Sequence, residues 1–224
     1  MKSHFELSPA EYERKRRGHL HRRRIAIVSR DVDAHARRGD LVLEIGCGPG
    51  DVLAAVAATR PDVEFLGVDV DEAMVEHARS AHGAANVAFE LVDLSVTPLE
   101  RHARVAFAID VLHHVHDLPG LVQAVRDVLR PEGYWTVIEP NSRNPYIWLH
   151  QERMRRAGLD EHHFRPDAFE RELARSGLRV VSRSTAFVIP GAVRSVPRAV
   201  ARLELALEAV PVLGGSVVYR VGSV

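Results

Sequence analysis

The sequence predicts an α/β domain with a mostly parallel sheet and helices on both faces. Two observations carry this prediction. Short apolar runs at 41–45, 63–68, 87–92 and 104–109 are separated by stretches that include amphipathic helical runs, the alternation that builds crossover units on a parallel sheet. The first of these runs also ends in a glycine turn, Gly46-Cys47-Gly48-Pro49-Gly50, before a helix start at Asp51. Alternating glycines let the chain turn sharply and let a ligand lie against bare main chain. With 224 residues and 46% hydrophobic content, one well-filled domain over 1–224 is expected.

The elements follow in order. Residues 1–38 read as a helical cap. Ser8-Pro9-Ala10-Glu11 is a helix start, with a serine cap, proline in the first turn and an acid three residues on. Arg14, Lys15, Arg16, Arg17, Arg22, Arg23 and Arg24 make the cap basic, and Ile25, Val28 and Val32 share one face of its second helix. We read it as a packing pair with a solvated arginine face. The alternative, an RNA-docking patch, lacks stacking aromatics apart from Tyr12. Residues 39–185 are the core expected to bind a cofactor. The second strand, 63–68, ends in Asp69, and a helix over 72–81 is capped by Asp71. The third strand, 87–92, ends in Asp93-Leu94, and the fourth, 104–109, in Asp110. Apolar residues at helical spacing mark 118–130 as a helix, followed by a turn at Pro131-Glu132-Gly133 and a fifth strand over 134–138. An insert covers 141–166, and strand six begins near Leu178. In 186–215, Val196, Val200, Leu203, Leu207 and Val210 form a helical stripe, expected to pack and to end at Pro211. The last strand, 216–221, is placed antiparallel inside the sheet.

Glu44, two residues before the first glycine, would repel a phosphate but suits an ammonium or sulfonium. Glu44-Ile45-Gly46-Cys47-Gly48-Pro49-Gly50 resembles the E/D-x-G-x-G-x-G signature of class I S-adenosylmethionine-dependent methyltransferases. Asp69-Val70-Asp71-Glu72-Ala73-Met74 resembles their D-x-S/D-x-x-M/L. Val111-Leu112-His113-His114-Val115 resembles the segment after their fourth strand. Leu129-Arg130-Pro131-Glu132-Gly133 is similar to their L-K/R-P-G-G turn, with Glu132 in place of a glycine. Ser176-Gly177-Leu178 resembles the start of their sixth strand. These motifs stand in order over roughly 38–185, and ordered motifs are more specific than any one alone.

The resemblance implies a Rossmann-like fold, with a seven-stranded, mostly parallel sheet, helices on both faces and an antiparallel last strand, and S-adenosylmethionine (SAM) as cofactor. It implies that Glu44, Gly46, Cys47, Gly48 and Gly50 line the cofactor, that Asp69 takes both ribose hydroxyls beside Val70, and that Asp93 accepts from the adenine amino group. Leu94 is expected near the ring, and Asp110 completes the set. Cys47 reads as a small packed residue, not a nucleophile.

Methyl transfer is an in-line displacement, in which alignment supplies much of the acceleration and a base is needed only if the acceptor must lose a proton. The candidate bases are His163, then His113 and Glu139. His114, Tyr146 and Arg165 are candidates for acceptor binding, with the insert and the 186–215 extension as pocket or lid elements. No metal is expected. Asp110 with Glu139 and Asn141 could imitate the magnesium site of catechol-type methyltransferases, but Pro140 separates the last two; the histidine and cysteine spacings match no familiar zinc set.

The leading expectation is methylation of a small-molecule acceptor at O, N or C, in specialised-metabolite biosynthesis. Alternatives are an RNA or protein methyltransferase docking through the basic cap, and a non-catalytic SAM-binding subunit. Zero formal net charge disfavours nucleic acid as a partner. No apolar run reaches membrane-span length, the N-terminus lacks a signal-peptide core, and one cysteine fits a cytoplasmic protein. A monomer or homodimer is expected.

Overall fold

A computed structural model describes residues 7–159 and 162–223; residues 1–6 of the expected cap and 160–161 of the insert lie outside the described residues. The strands are β1 (Leu41–Ile45), β2 (Glu64–Asp69), β3 (Val87–Leu91), β4 (Ala103–Ile109), β5 (Leu129–Pro140), β6 (Leu178–Ala186) and β7 (Ser216–Ser223). They form one sheet in the order β3-β2-β1-β4-β5-β7-β6. The pairs from β3 to β5 are parallel, whereas β7 runs antiparallel between β5 and β6. The expected fold, with its antiparallel last strand inside the sheet, is therefore observed.

Helices cover both faces: α1 (Pro9–Arg16), α2 (His19–His35), α3 (Asp51–Ala57), α4 (Glu72–His82), α5 (Leu118–Val128), α6 (Pro145–Arg156), α7 (Pro166–Arg175) and α8 (Arg198–Leu207). Side chains alternate across a strand, and β1 shows the consequence. Leu41, Leu43 and Ile45 enter the core shared with α5 and α7. Val42 enters the core shared with α2, α3 and α4. Glu44 has the parity of Val42, so the pleat drives a carboxyl into the second layer, where it is 3% exposed.

Local chemistry explains the helix starts. Ser8 and Glu11 form the predicted capping box. The Asp71 side chain accepts from the Ala73 and Met74 N–H groups, as its capping role requires. The polar side of α2 is also anchored: buried Asp31 accepts from Thr136 Oγ1 at 2.9 Å and from Arg220 Nε at 3.0 Å.

Three expectations change. Strand β5 begins at Leu129, not 134, because the Pro131-Glu132-Gly133 turn is absorbed as an irregularity in the strand, with Glu132 at φ 57°. The arginine face of the cap is not simply solvated. Arg24 is buried against Asp110, and Arg23 pairs with Glu204 and Glu208. Finally, the α8 stripe does not pack. Val200, Leu203 and Val210 are exposed, and the buried residue is Glu204. His19 holds Glu204 at 2.6 Å, and the N–H groups of Ile189 and Phe187 donate to Glu204 and Glu208. Ionic and backbone partners on α2 and the 187–189 segment thus select the acidic face of α8 over its apolar one.

Candidate cofactor and methyl-transfer site

The glycine turn leaves β1 with Gly46, Gly48 and Gly50 all at positive φ. At Gly46 a Cβ would meet the Val111 side chain at 2.4 Å, so the turn lies directly on the segment after β4. At Gly48 a Cβ would meet nothing within 4 Å, leaving open space beside bare backbone. The turn's amides are taken by the fold. Gly46 and Cys47 N–H donate to the Val68 carbonyl, Gly48 N–H to Asp69 Oδ2 at 2.7 Å, and Gly50 N–H to the Cys47 carbonyl. The turn therefore offers a ligand shape and room, not a row of unused donors as its glycines alone suggest.

Asp69 ends β2 and also accepts from the Asp71 N–H at 3.0 Å. Burial raises its pKa, opposed by those backbone donors. Val70, beside it, is 62% exposed. Asp93 ends the β3 segment exposed, accepting from Ser95 N–H, and Leu94 is buried behind it. Cys47 is buried, and its thiol pKa is pushed up by burial, then by Glu44 and Asp69, so it is a packing residue.

A charged cluster forms where α1 and α2 cross the glycine turn. Asp110, at φ 56°, binds Arg24 directly and has Arg16 at 4.0 Å. Burial raises the Asp110 pKa, but Arg24 and Arg16 outweigh it and hold the carboxyl below its usual range. Arg16 also donates to Tyr12 Oη at 2.7 Å and feels the charges of Asp51 and Glu44. His21 Nε2 lies 3.3 Å from Asp51 Oδ2, within ion-pair range but off hydrogen-bond geometry. Glu44 Oε2 is buried with no hydrogen-bond partner. Burial first, and then Asp51, pushes the Glu44 pKa well above the usual carboxyl range. A buried acid with an unused oxygen beside an open glycine turn is a site for a cation.

Behind β4, a single 3₁₀ turn (Leu112–His114) is held by Glu139. This fully buried carboxyl accepts from the N–H groups of Val111 at 2.8 Å, Leu112 at 2.7 Å and His113 at 3.3 Å. It also binds His113 Nδ1 at 2.7 Å. Both Glu139 oxygens are thus engaged, so the carboxyl positions the turn and the His113 ring. The His113 and His114 rings lie 4.0 Å apart. The imitation magnesium site does not assemble: Glu139 is occupied this way, Asp110 faces Arg24, and Asn141 Nδ2 donates to the Pro211 and Gly214 carbonyls.

The insert supplies α6. His163 Nδ1 lies 3.2 Å from Gln151 Oε1, and its ring is parallel to that of Trp148, so His163 is tied to α6. His162 meets His116, which brings the insert against the segment after β4. Tyr146 is 66% exposed on α6 and Arg165 is exposed ahead of α7; neither meets the cluster around Glu44. The sequence named Arg16 and Arg24 only as part of a basic cap, Asp51 only as a helix start and Val111 only within a motif, and it did not single out His21. The density of arginine in the cap does not say which arginine turns inward.

A glycine turn between β1 and α3, acids at the ends of β2 and just after β3, and a buried acid with an unpartnered oxygen thus stand together beneath a helical cap. Residues 12–183 match the family model described as a methyltransferase domain, and the chain belongs to that family, in the SAM-dependent class I group. The chain is 34% identical over 102 residues to trans-aconitate 2-methyltransferase of Methylobacterium radiotolerans, covering 46% of this chain and 38% of that protein. It is 30% identical over 127 residues to a ubiquinone biosynthesis O-methyltransferase of Neisseria meningitidis, covering 53% and 52%. The chain thus spans about half or less of the length of these curated relatives. Among solved structures, magnesium protoporphyrin IX methyltransferase from Synechocystis with bound S-adenosylhomocysteine matches with TM-score 0.63 at 15% identity, over 91% of this chain and 83% of that one. A SAM-dependent methyltransferase from Mesorhizobium loti matches with TM-score 0.62 at 18% identity, over 83% and 91%. At such identities the likeness is one of fold. Among the described residues, no helix is long and apolar enough to cross a membrane.

Proposed function

We propose that this chain transfers a methyl group from SAM to a small-molecule acceptor. The observation that carries the reading is the partnerless buried oxygen of Glu44 beside the open Gly48. That pair fits the cationic amino-acid end of SAM, with Arg16 the natural partner for its carboxylate, Asp69 for the ribose hydroxyls, and Asp93 with the Leu94 backbone for the adenine edge. When bound, SAM supplies an electrophilic methyl group on sulfur.

The protein's own groups do the remaining tasks. Glu139 fixes the turn after β4 and holds the His113 ring by Nδ1, so proton transfer by His113 would run through Nε2. That makes His113 the preferred base where the acceptor needs one. His163, with Trp148 alongside, is better placed as a wall of the acceptor pocket, together with His114, Tyr146 and Arg165. The acceptor is proposed as a small molecule because Arg23 and Arg24 are committed to acids within the chain, which removes them from any nucleic-acid face. The trans-aconitate and ubiquinone-pathway relatives act on such acceptors by name, and a role in specialised metabolism extends this reading.

Calorimetric titration with SAM and with S-adenosylhomocysteine tests the proposal. Binding of both in the micromolar range is expected, followed by methyl transfer in a survey of phenolic, carboxylic and amine acceptors. Failure of both to bind would refute it. The same titration carries a pH prediction. Because the folded Glu44 pKa lies above the unfolded value of about 4.3, the ligand-free carboxyl holds a proton where the unfolded chain has lost it. A cation at its side favours the ionised form, so SAM binding releases a proton and tightens as pH rises through that window. Glu44→Gln is expected to abolish the proton release and to weaken binding about 10- to 100-fold, the scale of a charge-assisted hydrogen bond. Titrations in two buffers of different ionisation enthalpy measure it.

A further inference from the structure

We propose that Glu13, His77 and His82 form a zinc-class metal site that clamps the helical cap to the cofactor-binding core. Glu13 lies on α1, and both histidines lie on α4. Glu13 Oε2 is 3.1 Å from His77 Nε2 and 3.3 Å from His82 Nε2. One ligand atom from each of the three residues lies within 4.8 Å of the others. In a tetrahedral zinc site, bonds of about 2.0–2.1 Å place ligand atoms about 3.3 Å apart, so two of the three edges already have that length. A modest rotation of the imidazoles closes the third. Two imidazoles and a carboxylate are a borderline nitrogen–oxygen set of the kind zinc takes.

The way α1 docks points the same way. A surface helix ordinarily seats an apolar stripe on its core, yet the one buried residue of α1 is Glu13. The opposing charge nearby is Arg17, which binds Glu13 Oε1 and leaves Oε2 to the histidines. A groove of about 510 Å³ is lined by Glu13 and His82, and also by His21 and Asp51 of the charged cluster. It has room for water as a fourth ligand. Within that groove His21 Nδ1 is buried without a hydrogen-bond partner. One turn along α1 from Glu13 stands Arg16, facing Asp110. A metal at the triad therefore holds Arg16 over the cofactor site, and by linkage its loading and cofactor affinity change together.

The test uses tag-free, metal-stripped protein titrated with zinc chloride against a chromophoric chelator. One equivalent is expected to bind and to raise the melting temperature. His77→Gln and His82→Gln are expected to lose that equivalent, while His82→Cys, which restores a ligand but not the hydrogen-bonding shape of imidazole, retains it. Circular dichroism of the metal-free variants checks their folding. The proposal is overturned if the wild type binds no stoichiometric zinc, which would leave the triad a hydrogen-bonded contact only. It is equally overturned if a folded His77→Gln/His82→Gln double variant still binds one equivalent. Neither readout depends on SAM, so the result stands apart from the methyl-transfer reading.

Discussion

Asp69→Ala is expected to weaken SAM binding about 100-fold or more. The proposed ribose contact is a two-point hydrogen bond to a charged group, each point worth about 1.5–3 kcal/mol, and every 1.4 kcal/mol is about tenfold in affinity. The structure adds a second route to the same loss. Asp69 Oδ2 fastens the Gly48 N–H and Oδ1 the Asp71 N–H, so the alanine variant also unties the glycine turn from the end of β2. Asp69→Asn separates the two routes, since its amide oxygen still accepts one backbone bond while the charge is gone. Calorimetry gives the affinity and thermal unfolding reports the state of the turn. An alanine variant that binds SAM as the parent does would mean that the nucleoside lies elsewhere.

Glu139→Ala is expected to cost about 3–5 kcal/mol of stability, the range for removing one partner from a buried charged network. Four donors converge on this carboxyl: the N–H groups of Val111, Leu112 and His113, and the His113 ring. The carboxyl is fully buried, so water does not readily take its place. Val111 in turn packs on Gly46, so loosening this turn also loosens the glycine turn at the proposed cofactor site. The midpoint of urea unfolding measures the cost, and Glu139→Gln should recover part of it by keeping an acceptor in place. A loss below about 1 kcal/mol would show that the turn after β4 is held by packing alone.

Much of the fold was legible because its signals are local. The caps Ser8 and Asp71 and the glycine turn each depend on residues a few positions apart. The acids Asp69 and Asp93 were placed by where strands end. The errors have one character. Glu132 broke no strand, because a bulge absorbed it. The α8 stripe was a sound amphipathic pattern, but periodicity identifies two faces without saying which is chosen; Glu204 and Glu208 found cations and amides across the fold.

By itself, then, the chain determined where its main strands and helices lie, the glycine turn after β1, and the acids at the strand ends. These follow from backbone freedom and from periods of two and 3.6 residues, which act within a short stretch of chain, whereas the order of the strands in the sheet is a property of the tertiary structure. Only the tertiary structure decided which charges meet. Arg24 reaches Asp110 across 86 positions, His19 reaches Glu204 across 185, and Glu13 reaches His77 across 64. A charge acts on whatever the sheet order and helix packing bring within a few ångströms, in a medium that weakens it far less than water does, and no local spacing encodes that neighbour.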